Sequence, residues 1–148
     1  MKIRLLTTLA LMMPLLISTG SIAENPHQVR QLLETGACMK CDLRGANLAG
    51  AHLIGADLRQ ANLAQANLVE ANLEGADLDG ANLQGANLTG AFLTNATLNH
   101  TNLNSVDLSY AVIYDTHVTG ASMENLTLDY AEIFNTGIAV GGEAPISD

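Results

Sequence analysis

The chain has 148 residues, 48% of them hydrophobic, and a formal net charge of −9. This length suits one domain and excludes two once a leader segment is removed. With 15 Asp and Glu against 6 Lys and Arg, the surface repels nucleic acid phosphates and anionic lipids and favours cations or basic partners. The same acidity also serves a protein without such partners, because like charge keeps it soluble.

Residues 1–23 are typical of a secretory signal peptide. Lys2 and Arg4 make its start positive, an apolar run follows, and Ser21 and Ala23 are small residues at the two positions that a signal peptidase reads. The apolar run is too short for a membrane-spanning helix, which needs ~20 residues, and an uncleaved N-terminal anchor is the alternative. We predict that this segment is removed on export, which leaves no attachment to a membrane.

Residues 24–40 are predicted to form a helical cap. Asn25 is a favoured N-cap residue, Pro26 fits the first helical turn, and Gly36 can adopt the left-handed conformation that ends a helix. Between them, an apolar stripe at helical spacing is formed by Val29, Leu32 and Leu33. We expect this stripe to cover the open end of the segment that follows.

The two cysteines, Cys38 and Cys41, have the spacing C-x-x-C. In an oxidising compartment a disulfide bond is the default for such a pair, and it would clip the cap to the next segment. A redox-active pair of the thioredoxin type is a second interpretation, although no βαβ pattern surrounds the cysteines. Zinc is the third, but it needs about four ligands, and only His27 and Asp42 lie nearby.

Residues 41–140 divide without a gap into 20 blocks of five. The middle residue is Leu from Leu43 to Leu108, and two positions earlier the residue is Ala from Ala46 to Ala96. A helix would spread leucines of period five round its whole surface. In an extended segment the two positions point to one side, and the remaining residues, often including Gly, can turn the chain.

The repeated A-[N/D]-L-x-x blocks, such as ANLAQ at 61–65, resemble the pentapeptide-repeat proteins. The resemblance implies an all-β fold, a right-handed quadrilateral β-helix of five coils with Ala and Leu inside. Each residue then stacks on the residue 20 positions further on. Residues 25–48 are similar to the N-terminal cap of secreted cyanobacterial members, which suggests the periplasm or the thylakoid lumen. We expect residues 141–148 to be a flexible tail that covers the last coil poorly.

The sequence contains no set of residues that supports catalysis. There is no serine–histidine–carboxylate arrangement, no glycine-rich phosphate loop and no metal signature. In a 20-residue coil, His117 falls in one column with Asp77, but the two are roughly 10 Å apart, too far to share a metal. The Asn and Asp of the blocks are expected to bond the backbone of the corners. We therefore predict a non-enzymatic protein without cofactor or metal.

One feature does not follow from the repeat. In a 20-residue coil all five aromatic residues fall on, or at the corner of, one side, where they face outward. With the valine between them, this candidate interaction face consists of Phe92, Tyr110, Val112, Tyr114, Tyr130 and Phe134. An exposed aromatic patch on a polar protein indicates a partner surface. Alternatively, stacked rings merely stabilise the terminal coils, or the tail folds over them.

Three functions compete on this sequence. The first is an exported scaffold that binds an unidentified protein through this face, or a second copy through its C-terminal coils. The second is implied by cytoplasmic relatives that mimic duplex DNA and protect gyrase, but export would separate the chain from that target. The third is a redox relay through Cys38 and Cys41. We favour the first, with neither nucleic acid nor membrane as a partner.

Overall fold

The computed structural model describes residues 25–138. The predicted signal peptide and the predicted tail at 141–148 lie outside them. The regular elements are helix α1 (Pro26–Thr35) and strands β1 (Val112–Tyr114) and β2 (Glu132–Phe134). The rest of the described chain alternates between isolated parallel β-bridges and turns with a period of five residues. In this part of the chain no helix is long and apolar enough to cross a membrane.

Helix α1 is capped by the two residues expected from the sequence. The side chain of Asn25 accepts a hydrogen bond from the backbone N–H of Gln28, and Pro26 occupies the first turn. At the other end, Gly36 adopts a left-handed conformation with a φ of 68° and donates its N–H to the carbonyl of Leu32. Local chemistry therefore fixes both ends of this helix.

The apolar stripe of α1 is narrower than predicted. Val29 and Leu32 are buried, but Leu33 is 52% exposed, so the prediction that Leu33 covers the first coil is wrong. The cause is Gln28, whose side-chain oxygen accepts a hydrogen bond of 2.6 Å from the backbone N–H of Asp42. In later coils the equivalent N–H donates to the preceding coil. Gln28 must face the first coil to make this bond. Because successive residues are 100° apart round the helix, Leu33 then points to solvent.

A disulfide bond joins Cys38 to Cys41. The two residues are 0% and 5% exposed and belong to the hydrophobic core, together with Leu32 and Leu43. The backbone N–H of Cys38 donates to the carbonyl of Asp57. The bond therefore lies inside the protein, where the helix meets the first coil.

We expect Cys38→Ala/Cys41→Ala to lower the free energy of unfolding by about 2 kcal/mol, the loop-closure value for a ring this small. Alanine suits the position of Cys41 because most other blocks carry it there. Urea unfolding of the variant and of oxidised and reduced wild type would measure the effect. Unchanged stability combined with lost biological function would instead favour the redox interpretation.

The backbone repeats its hydrogen bonding every 20 residues. Parallel bridges join equivalent residues from the pair Ala37 and Asp57 to the pair Asp107 and Thr127. Strands β1 and β2 continue this pairing, with Ile113 opposite Ile133. The register is the one predicted for stacked coils, and it begins before the first predicted block.

The interior is filled by the Leu and Ala positions of the blocks. Every middle residue from Leu43 to Ile113 is at most 2% exposed, and the small residues beside them are buried apart from the half-buried Ala51. From residue 121 the same positions are mostly half-buried, as at Met123. Among residues 25–138 no further coil stacks on these positions, so burial decreases toward the last described coil.

Backbone conformation and side-chain hydrogen bonds together form the corners of the coil. The fifth residue of each described block from 45 to 135 has a positive φ, which turns the chain at the corner. Asn or Asp at the second position accepts the backbone N–H two residues later, as Asn62 does from Ala64 at 3.2 Å and Asn87 from Thr89 at 2.9 Å. These bonds confirm the predicted role of the Asn and Asp residues in the turns.

Candidate functional site

The six residues predicted as an interaction face lie on one side of the coil or at its corner. We call this surface the aromatic side; it consists of Phe92, Tyr110, Val112, Tyr114, Tyr130 and Phe134. Bridges place Val112 between Phe92 and Glu132, and the register of β1 with β2 places Tyr114 opposite Phe134. A 20-residue period thus brings together residues that are up to 42 positions apart in sequence.

The rings of the aromatic side form two pairs with different geometry. The rings of Tyr110 and Tyr130 are stacked, with centroids 5.1 Å apart and an angle of 15° between their planes. Tyr114 and Phe134 meet edge to face, with centroids 6.4 Å apart and planes at 90°. Both arrangements are favourable for aromatic pairs, but the second is not a stack. The sequence predicts which rings meet, not how they tilt.

Four of these rings are open to solvent. Their exposed fractions are 46% for Phe92, 60% for Tyr110, 79% for Tyr130 and 69% for Phe134. Tyr114 and Val112 are half-buried between them. Exposed aromatic side chains grouped in this way are typical of an interaction site.

A carboxylate that the sequence analysis missed, Glu132, lies within the aromatic side. The hydroxyl of Tyr114 donates a hydrogen bond of 2.5 Å to Glu132 Oε2. This bond raises the pKa of the Tyr114 phenol, because loss of the proton would leave two negative charges in contact. The sequence contains one sign of this carboxylate. Residues 92, 112 and 132 are 20 positions apart and so form one column, in which Phe92 and Val112 are apolar and Glu132 is charged.

A second carboxylate lies at the corner beside the aromatic side. Asp115 follows Tyr114 and accepts a hydrogen bond from the side-chain amide of Asn135. Both residues line a cavity of about 670 Å³, together with Asn95 and His117. The cavity is polar and adjoins the aromatic side, so a docked side chain could reach it.

The basic residues lie away from the aromatic side, and two of them are held in ion pairs. No Lys or Arg follows Arg59 in the sequence. The guanidinium of Arg59 binds Asp57 at 2.7 Å, and that of Arg44 binds Asp42 at 2.8 Å. Hydrogen bonds from these arginines hold the pKa of both Asp carboxyls below the usual value. The acidic residues near the aromatic side have no such basic neighbour among the described residues.

Two tyrosines of the aromatic side sit on an unfavourable backbone conformation. Tyr110 and Tyr130 both have a φ of 59°, in the left-handed region that bulky side chains disfavour. The other non-glycine residues with positive φ in the described chain are all polar. The stacked rings are therefore displayed at the expense of backbone strain that glycine, common at this block position, would avoid.

The other candidate groups do not form a site. Residues 25–138 contain no group of three or more His, Cys, Asp or Glu that could hold a metal ion. His117 pairs with Thr97, and Thr97 with Asp77, so Asp77 lies two coils from His117. His100 Nδ1 lies 3.0 Å from Asp79 Oδ1 in an exposed pair.

A family model and several solved structures match this chain. The model described as Pentapeptide repeats matches residues 41–80, 56–95, 76–112 and 93–125, which together make up more than half of the chain. No curated protein matches the sequence.

Three similar solved structures are pentapeptide repeat proteins. The protein alr5209 from Nostoc PCC 7120 is 29% identical, with a TM-score of 0.58 over 71% of this chain and 95% of that one. Rfr23 from the cyanobacterium Cyanothece 51142 is 29% identical, with a TM-score of 0.51 over 75% of this chain and 97% of that one. A protein from the thylakoid lumen of Arabidopsis thaliana is 28% identical, with a TM-score of 0.48; the match covers 68% of this chain and 64% of that protein.

Proposed function

Because the chain belongs to the pentapeptide repeat family, whose members form right-handed quadrilateral β-helices, we propose that it is an exported, non-enzymatic scaffold that binds another protein. In this proposal residues 41–140 form 20 blocks in five coils, and the protein is located in the periplasm or the thylakoid lumen. The aromatic side is the binding surface. Members of this family are typically structural or scaffold proteins.

The observation that carries the proposal is the exposure of four aromatic rings on a single side. Tyr130 and Phe134 are 79% and 69% exposed, and neither belongs to the hydrophobic core of the described residues. If the rings only stabilised the terminal coils, burial against the coil would serve better than exposure. Large aromatic residues with a polar surround are typical of binding hot spots.

The two alternative functions have less support. A mimic of duplex DNA would use the acidic surface, but the predicted signal peptide would carry the chain away from DNA-handling enzymes. A redox relay needs an accessible thiolate, whereas Cys38 and Cys41 are at most 5% exposed. The charge and the cysteines both have roles in solubility and stability without these functions.

We expect Tyr114→Ala/Phe134→Ala to lose a partner that the wild-type protein retains. The substitution removes the edge-to-face pair and most of the apolar area at one end of the aromatic side, so a bound protein should dissociate faster. A pull-down from the exported fraction, followed by mass spectrometry, compares the proteins recovered by the two versions. Light scattering of the purified proteins reports their oligomeric state.

The matched control is Leu33→Ala/Met39→Ala. These side chains are 52% and 51% exposed and lie at the helical end, away from the aromatic side. The control should recover the same proteins as wild type. Recovery of identical proteins and an identical oligomeric state with Tyr114→Ala/Phe134→Ala would refute binding through the aromatic side. Finding the protein only in the cytoplasm would refute export.

A further inference from the structure

We propose that the segment that docks on the aromatic side is basic: an extended stretch of another protein that presents arginine or lysine side chains. The inference rests on the proposed function, because it names the chemistry of the partner for the same surface. Three observations carry it: the charges around the rings, the open faces of the tyrosines, and the cavity at Asp115.

Apart from His117 on the cavity wall, the charged side chains beside the aromatic side are acidic. Glu132 lies within it, Asp115 follows Tyr114, and Asp129 precedes Tyr130. An apolar or acidic segment would cover these carboxylates without compensation, which is unfavourable. A basic segment would neutralise them and would also be attracted from a distance by the net negative charge of the protein.

The stacked tyrosines suit a cationic side chain. Tyr130 is 79% exposed, and a guanidinium or ammonium group within about 6 Å of such a ring is attracted by the π-electrons. Arginine can stack on an aromatic ring while its N–H groups bind a carboxylate. The aromatic side offers both a ring and a carboxylate to an arginine, because Asp129 directly precedes Tyr130 and Glu132 lies two residues after it.

The cavity next to Phe134 provides an anchor site. Asp115 lines this space of about 670 Å³, and the amide of Asn135 already donates one hydrogen bond to its carboxylate. A carboxylate has about four acceptor positions, so acceptor capacity is left for a planar guanidinium. Asn95 and Asn135 line the same cavity, and each side-chain amide carries an acceptor oxygen.

A second copy of this chain does not meet the requirement. Of its described basic residues, Arg44 and Arg59 are already bound to Asp42 and Asp57, Arg30 lies in helix α1, and Lys40 lies in the turn before the first block, so none is presented on an extended stretch. Two aromatic sides brought face to face would juxtapose their carboxylates, and like charges oppose such a contact. The docked segment therefore belongs to a different protein.

Fluorescence anisotropy with labelled peptides tests the inference. The probe is an extended peptide of about ten residues with alternating Arg and Ser, and the control peptide has Gln in place of Arg. In about 20 mM NaCl, where charges are weakly screened, the purified protein should bind the arginine peptide and not the glutamine peptide.

Matched variants locate the binding. Asp115→Asn/Glu132→Gln should weaken binding of the arginine peptide about fivefold, as expected for the loss of two exposed ion pairs, and Tyr130→Ala should weaken it about threefold. Asp79→Asn/Glu124→Gln removes the same number of charges from other sides of the coil. It should change the affinity less than about twofold, through the general field alone.

Two results would overturn the inference. One is equal affinity for the arginine and glutamine peptides, and the other is equal weakening by the two double carboxylate variants. Neither result refutes the proposed scaffold function, because an uncharged partner would still be lost from Tyr114→Ala/Phe134→Ala in the pull-down. The two proposals therefore fail by different measurements.

Discussion

The Leu73→Lys variant is expected to show no cooperative unfolding transition. Leu73 is 0% exposed and lies within the hydrophobic core of the described residues, so its loss removes roughly 2 kcal/mol of apolar burial. Placing an ammonium group there costs several kcal/mol more, because the tube offers it no counter-charge. The sum is comparable with the whole stability of a small domain, about 5–15 kcal/mol. Circular dichroism and urea unfolding would measure it.

The neighbouring substitution Glu74→Lys is the control for this experiment. Glu74 is exposed and points away from the core, so the same lysine should change the free energy of unfolding by less than about 0.5 kcal/mol. A soluble, cooperatively unfolding Leu73→Lys protein would contradict an interior built from the middle positions of the blocks.

The Leu32→Asp variant is expected to release the helical cap. Leu32 is 1% exposed and packs in the same core cluster as Cys38 and Leu43. A buried carboxylate at this position should lower the free energy of unfolding by about 3–5 kcal/mol. Detachment of α1 would also expose unpaired backbone of the first coil, which promotes association between coils. Urea unfolding and light scattering would measure these two effects.

Leu33→Asp provides a control on the adjacent residue of the same helix. Because Leu33 is 52% exposed, its replacement should change the free energy of unfolding by less than about 0.5 kcal/mol and leave the protein monodisperse. Equal destabilisation by Leu32→Asp and Leu33→Asp would contradict the orientation of α1 set by Gln28.

Much of the fold could be predicted because the repeat is simple. The spacing of Ala and Leu determines which side chains enter the core, and the family resemblance supplies the shape of the coil. A period of 20 then predicts every column, including the pairs Tyr110 with Tyr130 and Tyr114 with Phe134. The helix ends were predictable too, because Asn25 and Gly36 are local signals that do not depend on tertiary contacts.

The errors and omissions arise where a single polar contact decides the geometry. Leu33 follows the apolar stripe, but the hydrogen bond between Gln28 and the backbone of Asp42 rotates the helix, and no periodicity reveals that bond. Glu132 is one of 15 Asp and Glu residues in the sequence, so its presence alone marks no site. Its contact with the hydroxyl of Tyr114 depends on ring tilt, which side-chain packing sets.

The pairing of residues 20 positions apart also limits how chains of this type can change in length. Duplication of one five-residue block leaves every Ala and Leu pointing inward, so the core tolerates it. Inserted between Tyr114 and Tyr130, however, such a block would carry Tyr130 and Phe134 to the next side of the four-sided coil, away from Tyr110. Only gain or loss of four blocks restores the columns. Tandem duplication can therefore lengthen the rod in small steps, whereas a binding surface that spans coils is inherited intact only in steps of a full turn.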